Sequence, residues 1–214
     1  PTRSSRAMGI VHIAMFDAAN AASGQKYKPY LLTDSITDAS VDAAIAQAAH
    51  DTLVVMFPSQ AAEFEAQYAN DMAGIADGDA KSKGLALGAR AAALILADRA
   101  NDGSDPVTQS PEHQFSDAPG HWRKDPTNPD QAPHGVNWHK VRPFVIKSAA
   151  QFRSAPPPKI SSPEYAESYA EAFRLGGDGI NTPTERTEDQ THAGLFWAYD
   201  GTPSLCAPPR LYNQ

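Results

Sequence analysis

The chain has 214 residues, 41% of them hydrophobic and 20% charged, which is enough apolar material for one large core or two small ones. A formal charge of -7 with no cluster of Lys and Arg argues against nucleic acid or an anionic membrane as partner, because both need a contiguous basic patch. The lone cysteine, Cys206, excludes an internal disulfide framework and a thiolate zinc site, and no apolar run approaches the roughly 18 residues that span a bilayer.

From Arg3 to Ala22 nearly every position is apolar or small, with Gly9, His12, Asp17 and Asn20 as the main exceptions, so a helix surrounded by protein on most sides is predicted here. Residues 25–37 carry Pro29 and scattered polar groups and read as a loop. A second helix is expected over about 39–57, where Val41, Ile45, Ala48, Thr52, Val55 and Met56 share one face, and Pro58 ends it. Ser59 is the expected cap of a third helix with Phe64, Tyr68, Met72 and Ile75 as its buried stripe, closed by Gly78. The fourth, about 79–101, spaces Gly84, Gly88 and Ala92 four residues apart, which lets a neighbouring helix approach closely.

After Gly103 the character changes. Eleven of the 18 prolines fall between Gly103 and Pro163, so turns and extended segments must replace regular helix. Phe115, Trp122, Trp138, Phe144 and Phe152 also lie in this stretch, and so many aromatics predict an ordered segment that wraps the bundle. Ser162-Pro163 starts a fifth helix with Tyr165, Tyr169, Ala172 and Phe173 on one face, ended by Gly176-Gly177. Thr187 and Gln190 form a capping box for a sixth, which carries Leu195, Phe196, Trp197 and Tyr199. The expectation is an all-α fold: a four-helix bundle core over 1–102, a proline-rich wrapping segment over 103–163, and two further helices over 164–214.

The order of several phrases then becomes informative. The first helix, with Arg6, Gly9, His12, Asp17 and Asn20, resembles the opening helix of bacterial-type vanadium-dependent haloperoxidases. Lys26 to Tyr30, Phe57-Pro58, Arg99 to Gly103, Trp138 to Phe144, Gln151 to Arg153, Ser162 to Tyr169 and Asp189 to Ala198 follow in the same order as in that family. The resemblance implies an all-α subunit of two helical bundles with vanadate in the second, so that this chain corresponds to the first. It also implies halide oxidation by hydrogen peroxide, with a small organic molecule as acceptor. Family members are often exported, which makes a periplasmic or secreted location the expectation; a homo-oligomer is compatible with the resemblance.

Vanadate is a phosphate-like oxyanion, so its site needs Lys and Arg side chains, a Ser hydroxyl, a Gly amide and a ligand His, with another His for acid-base work. The family and its acid-phosphatase relatives supply these as a Lys six residues before Arg-Pro, a Ser-Gly-His, and an Arg before the ligand His. Here Arg142-Pro143 has Gly135 where the Lys belongs, and no Ser-Gly-His occurs. Ser5-Arg6 and His12 imitate the third motif, but on the first helix rather than at the end of the chain. The vanadate site is therefore expected in a C-terminal half that this chain lacks. The chain's ends suggest the same, since it opens on Pro1 beside an apolar helix and closes on Pro208 to Gln214 with no element to seal the core.

The pocket-wall residues this half could contribute are His12, Trp138, His139, Phe144 and Trp197. His12 reads first as a hydrogen-bonded core histidine at helical spacing from Met8, and Asp17 as its partner or as a cap to a neighbouring helix. His113, His121, His134 and His139 have no helical ligand spacing and read as solvent-facing or capping groups, with a pocket rim or an adventitious metal as the alternatives. Trp138 and Phe144 either staple the wrapping segment to the bundle or line a substrate channel, and Trp197 reads as an interface or core aromatic. Two other functions fit the same residues: a phosphatase of the superfamily, whose oxyanion cradle also takes a phosphoryl group, and a helical interaction module with no catalysis.

Overall fold

The computed structural model describes residues 2–105, 116–123, 130 and 135–197. Among them are six α-helices and no strand: α1 (Thr2–Ala22), α2 (Val41–Met56), α3 (Ala61–Ala73), α4 (Asp79–Arg99), α5 (Pro163–Leu175) and α6 (Glu188–Trp197). The all-α expectation holds. The chain divides into two compact units, one formed by residues 1–113 and 132–151, the other by 114–131 and 152–214.

In the first unit α1, α2 and α4 pack against one another, while α3 lies mainly on α2, with Lys81 of α4 donating to its Met72 carbonyl at 3.3 Å. The core follows helical spacing: Ile10, Ala14, Ala18 and Ala21 from α1, Ala44 and Ala48 from α2, and Leu87, Ala91 and Ile95 from α4, with Leu32 from the intervening loop. Fully burying the larger of these side chains stabilises the unit by about 1.5–3 kcal/mol each. So many alanines bring the backbones close. Gly88 completes the approach of α4 to α2, since a Cβ there would sit 2.5 Å from the Ala44 carbonyl oxygen and 2.6 Å from Gln47 Cβ. Ser40 caps α2, its hydroxyl accepting from the Ala43 amide at 3.2 Å.

Two local expectations are corrected. Ser59 is not the cap of α3: Pro58 sets a 3₁₀ turn over Pro58–Gln60, and the helix begins after Gln60 with no side-chain cap. That helix ends at Ala73, short of Gly78, and none of its residues is fully buried. Phe64, Tyr68, Met72 and Ile75 are only half-buried.

The second unit holds α5 and α6. Ser162 caps α5 by accepting from the Tyr165 amide at 3.3 Å, with Pro163 in the first turn. The capping box of α6 forms in both directions: the Thr187 amide donates to Gln190 Oε1 at 3.0 Å, and the Gln190 amide donates to Thr187 Oγ1 at 3.2 Å. The face of α5 that carries Tyr165, Tyr169, Ala172 and Phe173 is largely exposed. Tyr169 is 63% and Phe173 76% exposed.

Candidate functional site

Three buried polar residues of the first unit fix the segments around α1 and α4. Asp17, 2% exposed, accepts from the amides of Tyr30 at 2.7 Å, Leu31 at 2.7 Å and Leu32 at 2.9 Å. It therefore caps the loop that follows α1, and is neither a partner of His12 nor a helix cap. Asn20 holds the same loop through Tyr27, donating to its carbonyl at 2.8 Å and accepting from its amide at 3.0 Å. Each bond replaces water that burial has removed from a backbone amide or carbonyl.

Arg99 is the third. It extends the apolar stripe of α4 by one turn beyond Ile95 and is 1% exposed. Its Nη1 donates to the carbonyls of Arg142 at 2.9 Å and Pro143 at 3.2 Å, and its Nη2 donates to the Tyr30 hydroxyl at 2.5 Å. Tyr30 in turn donates to the Phe144 carbonyl at 2.7 Å. The guanidinium lies 4.0 Å from the centre of the Phe144 ring, a cation–π contact shielded from water. Asp98 Oδ2 sits 3.0 Å from both Arg99 Nε and Arg142 Nη2. Arg6 completes the cluster, donating from Nε to Asp102 at 2.7 Å and from Nη2 to the Arg99 carbonyl at 2.8 Å. Burial opposes ionisation of Asp102, but hydrogen bonds from Arg6 and Ser104 outweigh it and hold its carboxyl below the usual range.

These bonds lay residues 141–144 across the end of α4 and against α1, with Phe144 over Gly9. A cleft opens on each side of the Phe144 ring. The first, about 520 Å³, is bounded by Ser5 and Arg6 of α1 and by Trp138, His139, Arg142 and Ile146. The second, about 580 Å³, lies between Gly9, His12 and Phe16 of α1 and Lys28, Tyr30 and Val145. Phe144 borders both.

Four of the five sequence-predicted wall residues thus meet here: Trp138, His139 and Phe144 at the first cleft, His12 and Phe144 at the second. His12 is not a core histidine. Its Nδ1 bonds the Met8 carbonyl at 2.9 Å, one turn back as expected, but its ring faces solvent. The same face of α1 exposes Met8 (58%) and Phe16 (41%), so α1 buries one side rather than most sides. Trp197 ends α6 in the second unit, and its side chain lies outside the described residues. So do His113 and His134, while His121 is exposed. Arg99, Arg142 and Tyr30 were not anticipated as site residues. The signal for Arg99 was present, since a lone cation four residues past Ile95 falls on the buried face.

Set beside proteins of known function, the chain aligns at 32% identity over an alignment 117 positions long with one relative, covering 48% of this chain and 19% of that protein. The relative is vanadium chloroperoxidase from Curvularia inaequalis. The chain is thus distantly related to the vanadium haloperoxidase family, and spans about a fifth of the relative's length. No protein-family model matches it, and no solved structure gives a significant match.

The described residues that line the two clefts do not fit vanadate. An oxyanion with several charged oxygens needs converging cations and a ligand imidazole. Arg6 has two nitrogens committed to Asp102 and the Arg99 carbonyl and borders one cleft, whereas His12 borders the other. Among the described residues no group of three or more His, Cys, Asp or Glu side chains could hold a metal ion.

Proposed function

We propose that this chain is the N-terminal scaffold half of a bacterial-type vanadium-dependent haloperoxidase, an enzyme that oxidises halide with hydrogen peroxide and halogenates a small organic acceptor. The similarity to vanadium chloroperoxidase carries this reading. Vanadate is assigned to a C-terminal half, the partner of this chain, because Arg6 and His12 line separate clefts and no other described residues make an oxyanion cradle. The contribution of this half is then the bundle, the strap over residues 141–144 and one wall of the substrate pocket, built from Trp138, His139, Phe144 and His12.

The test is expression of the complete gene product with added orthovanadate, followed by a bromination assay with hydrogen peroxide and a phenolic reporter. Vanadate-dependent bromination is the expected result. Phosphate release from a phosphomonoester without halogenation would instead make the protein a phosphatase of the same superfamily. Neither activity would leave a non-catalytic helical module.

A further inference from the structure

The cleft beside Trp138 combines two features that select a ligand class. Its walls are mostly apolar, with Trp138 and Phe144 as the aromatic members beside Ile146, and the charged groups that line it are the guanidiniums of Arg6 and Arg142. Among the described residues no carboxylate lines it. The ion pairs behind it run Arg6 to Asp102, Arg99 to Asp98 and Arg142 to Asp98, so that three guanidiniums face two carboxylates. Residues 135–151 add Lys140 and Lys147 and contain no Asp or Glu, in a chain whose overall charge is -7. The site is therefore locally positive within an acidic protein, which favours an anion.

The cleft-lining cations keep donors to offer. Arg6 uses Nε and Nη2, and Arg142 uses Nη2, in the bonds that tie them to Asp102, Asp98 and the backbone. The Nη1 group of each lies outside those bonds. His139 is different: its Nδ1 bonds the Val136 carbonyl at 3.1 Å, so in the neutral ring the proton sits on Nδ1 and Nε2 is an acceptor. A carboxylate is thus directed to the arginines and away from His139. A bare inorganic anion would leave the aromatic walls unused, and a neutral arene would leave the guanidinium donors unused.

We propose that this cleft binds a small planar aromatic carboxylate, its ring against Trp138 and Phe144 and its carboxylate at the Nη1 groups of Arg6 and Arg142. That such a ligand is the organic substrate rests on the haloperoxidase reading; that it binds here does not.

The experiment titrates the full chain with 2-naphthoate, using calorimetry for affinity and amide and indole NMR shifts for location. 2-Naphthol, neutral at pH 7, and sulfate serve as the paired controls. The expected result is saturable naphthoate binding with shifts at Trp138, Arg142 and Ile146, and affinities for naphthol and sulfate weaker by about tenfold or more. Trp138→Ala and Arg142→Met should each weaken naphthoate by a similar factor. Because Arg142 also anchors Asp98, a variant that fails to fold leaves the decision to the shift map on the unaltered chain. Shifts confined to another surface, equal binding of naphthol and naphthoate, or no saturable binding would each overturn the proposal. None of these outcomes involves vanadate, so they are separable from failure of the bromination assay.

Discussion

Asp17 illustrates how much of this chain's polar interior serves the backbone. Its two oxygens take three amides from residues 30–32, and those amides have lost water. Asp17→Ala leaves them without an acceptor in a nearly closed space. The expected cost is about 3 kcal/mol, read as a lowered urea midpoint with an unchanged slope. Asp17→Asn keeps one oxygen and should fall between the two. Gly88 gives the complementary case, in which the missing atom matters. Alanine there gains helix propensity of about 1 kcal/mol, but its Cβ would press on the Ala44 carbonyl and on Gln47. Contact at 2.5 Å with helix backbone cannot be relieved by a rotamer change, so overpacking wins. Gly88→Ala should destabilise the unit by about 2 kcal/mol net, measured by the same denaturation.

At the scale of elements, α3 is held differently from the other helices of its unit. It has no fully buried residue and packs mainly on α2. Much of its polar attachment is a cluster around His50. The imidazole stacks on Tyr68 with ring centres 4.4 Å apart, its Nδ1 bonds Asp51 at 2.9 Å, and its Nε2 lies 3.1 Å from Glu65. Burial disfavours the charged ring, but Asp51 and Glu65 outweigh it, and the pKa of His50 is raised above 6.5. A raised folded-state value means that the stabilisation is fully present below the unfolded value of 6.5 and fades as pH rises through the folded one. Amide exchange in residues 61–73, corrected for its intrinsic pH dependence, should therefore become less protected between pH 6 and pH 8. His50→Gln should remove that dependence.

The helices themselves were legible from local signals: apolar spacing, the Ser162-Pro163 start, the Thr187 and Gln190 pair. What escaped depended on contacts remote in sequence. Nothing near Asp17 announces that residues 30–32 will return to it, and Arg99 finds its partners at Tyr30, Arg142 and Pro143. Of the site, the aromatic and histidine walls were readable as residue types. The pairing that brings Trp138, Phe144 and His12 to adjacent clefts comes from Arg99 and Tyr30: helical spacing marks Arg99 as buried, but no local pattern marks the partners it finds.

Across the whole chain, stability should be unequal. The first unit has a contiguous core, whereas α5 buries no side chain fully and Phe152, Phe173 and Ile180 are 78%, 76% and 88% exposed. Brief tryptic digestion should cut at Lys159, Arg174 and Arg186 before it cuts at Arg90 or Arg99, as mass spectrometry of the early fragments would show. Uniform cleavage across both units would contradict this. The seat of Phe144 on Gly9 has a further consequence. A Cβ at position 9 would lie 3.2 Å from the Phe144 ring, so the aromatic partition between the two clefts stands where it does because one helix residue has no side chain. The relative widths of the two chambers are thus set by a single hydrogen atom on α1, a caliper that substitution at position 9 would adjust without altering any charged group at either mouth.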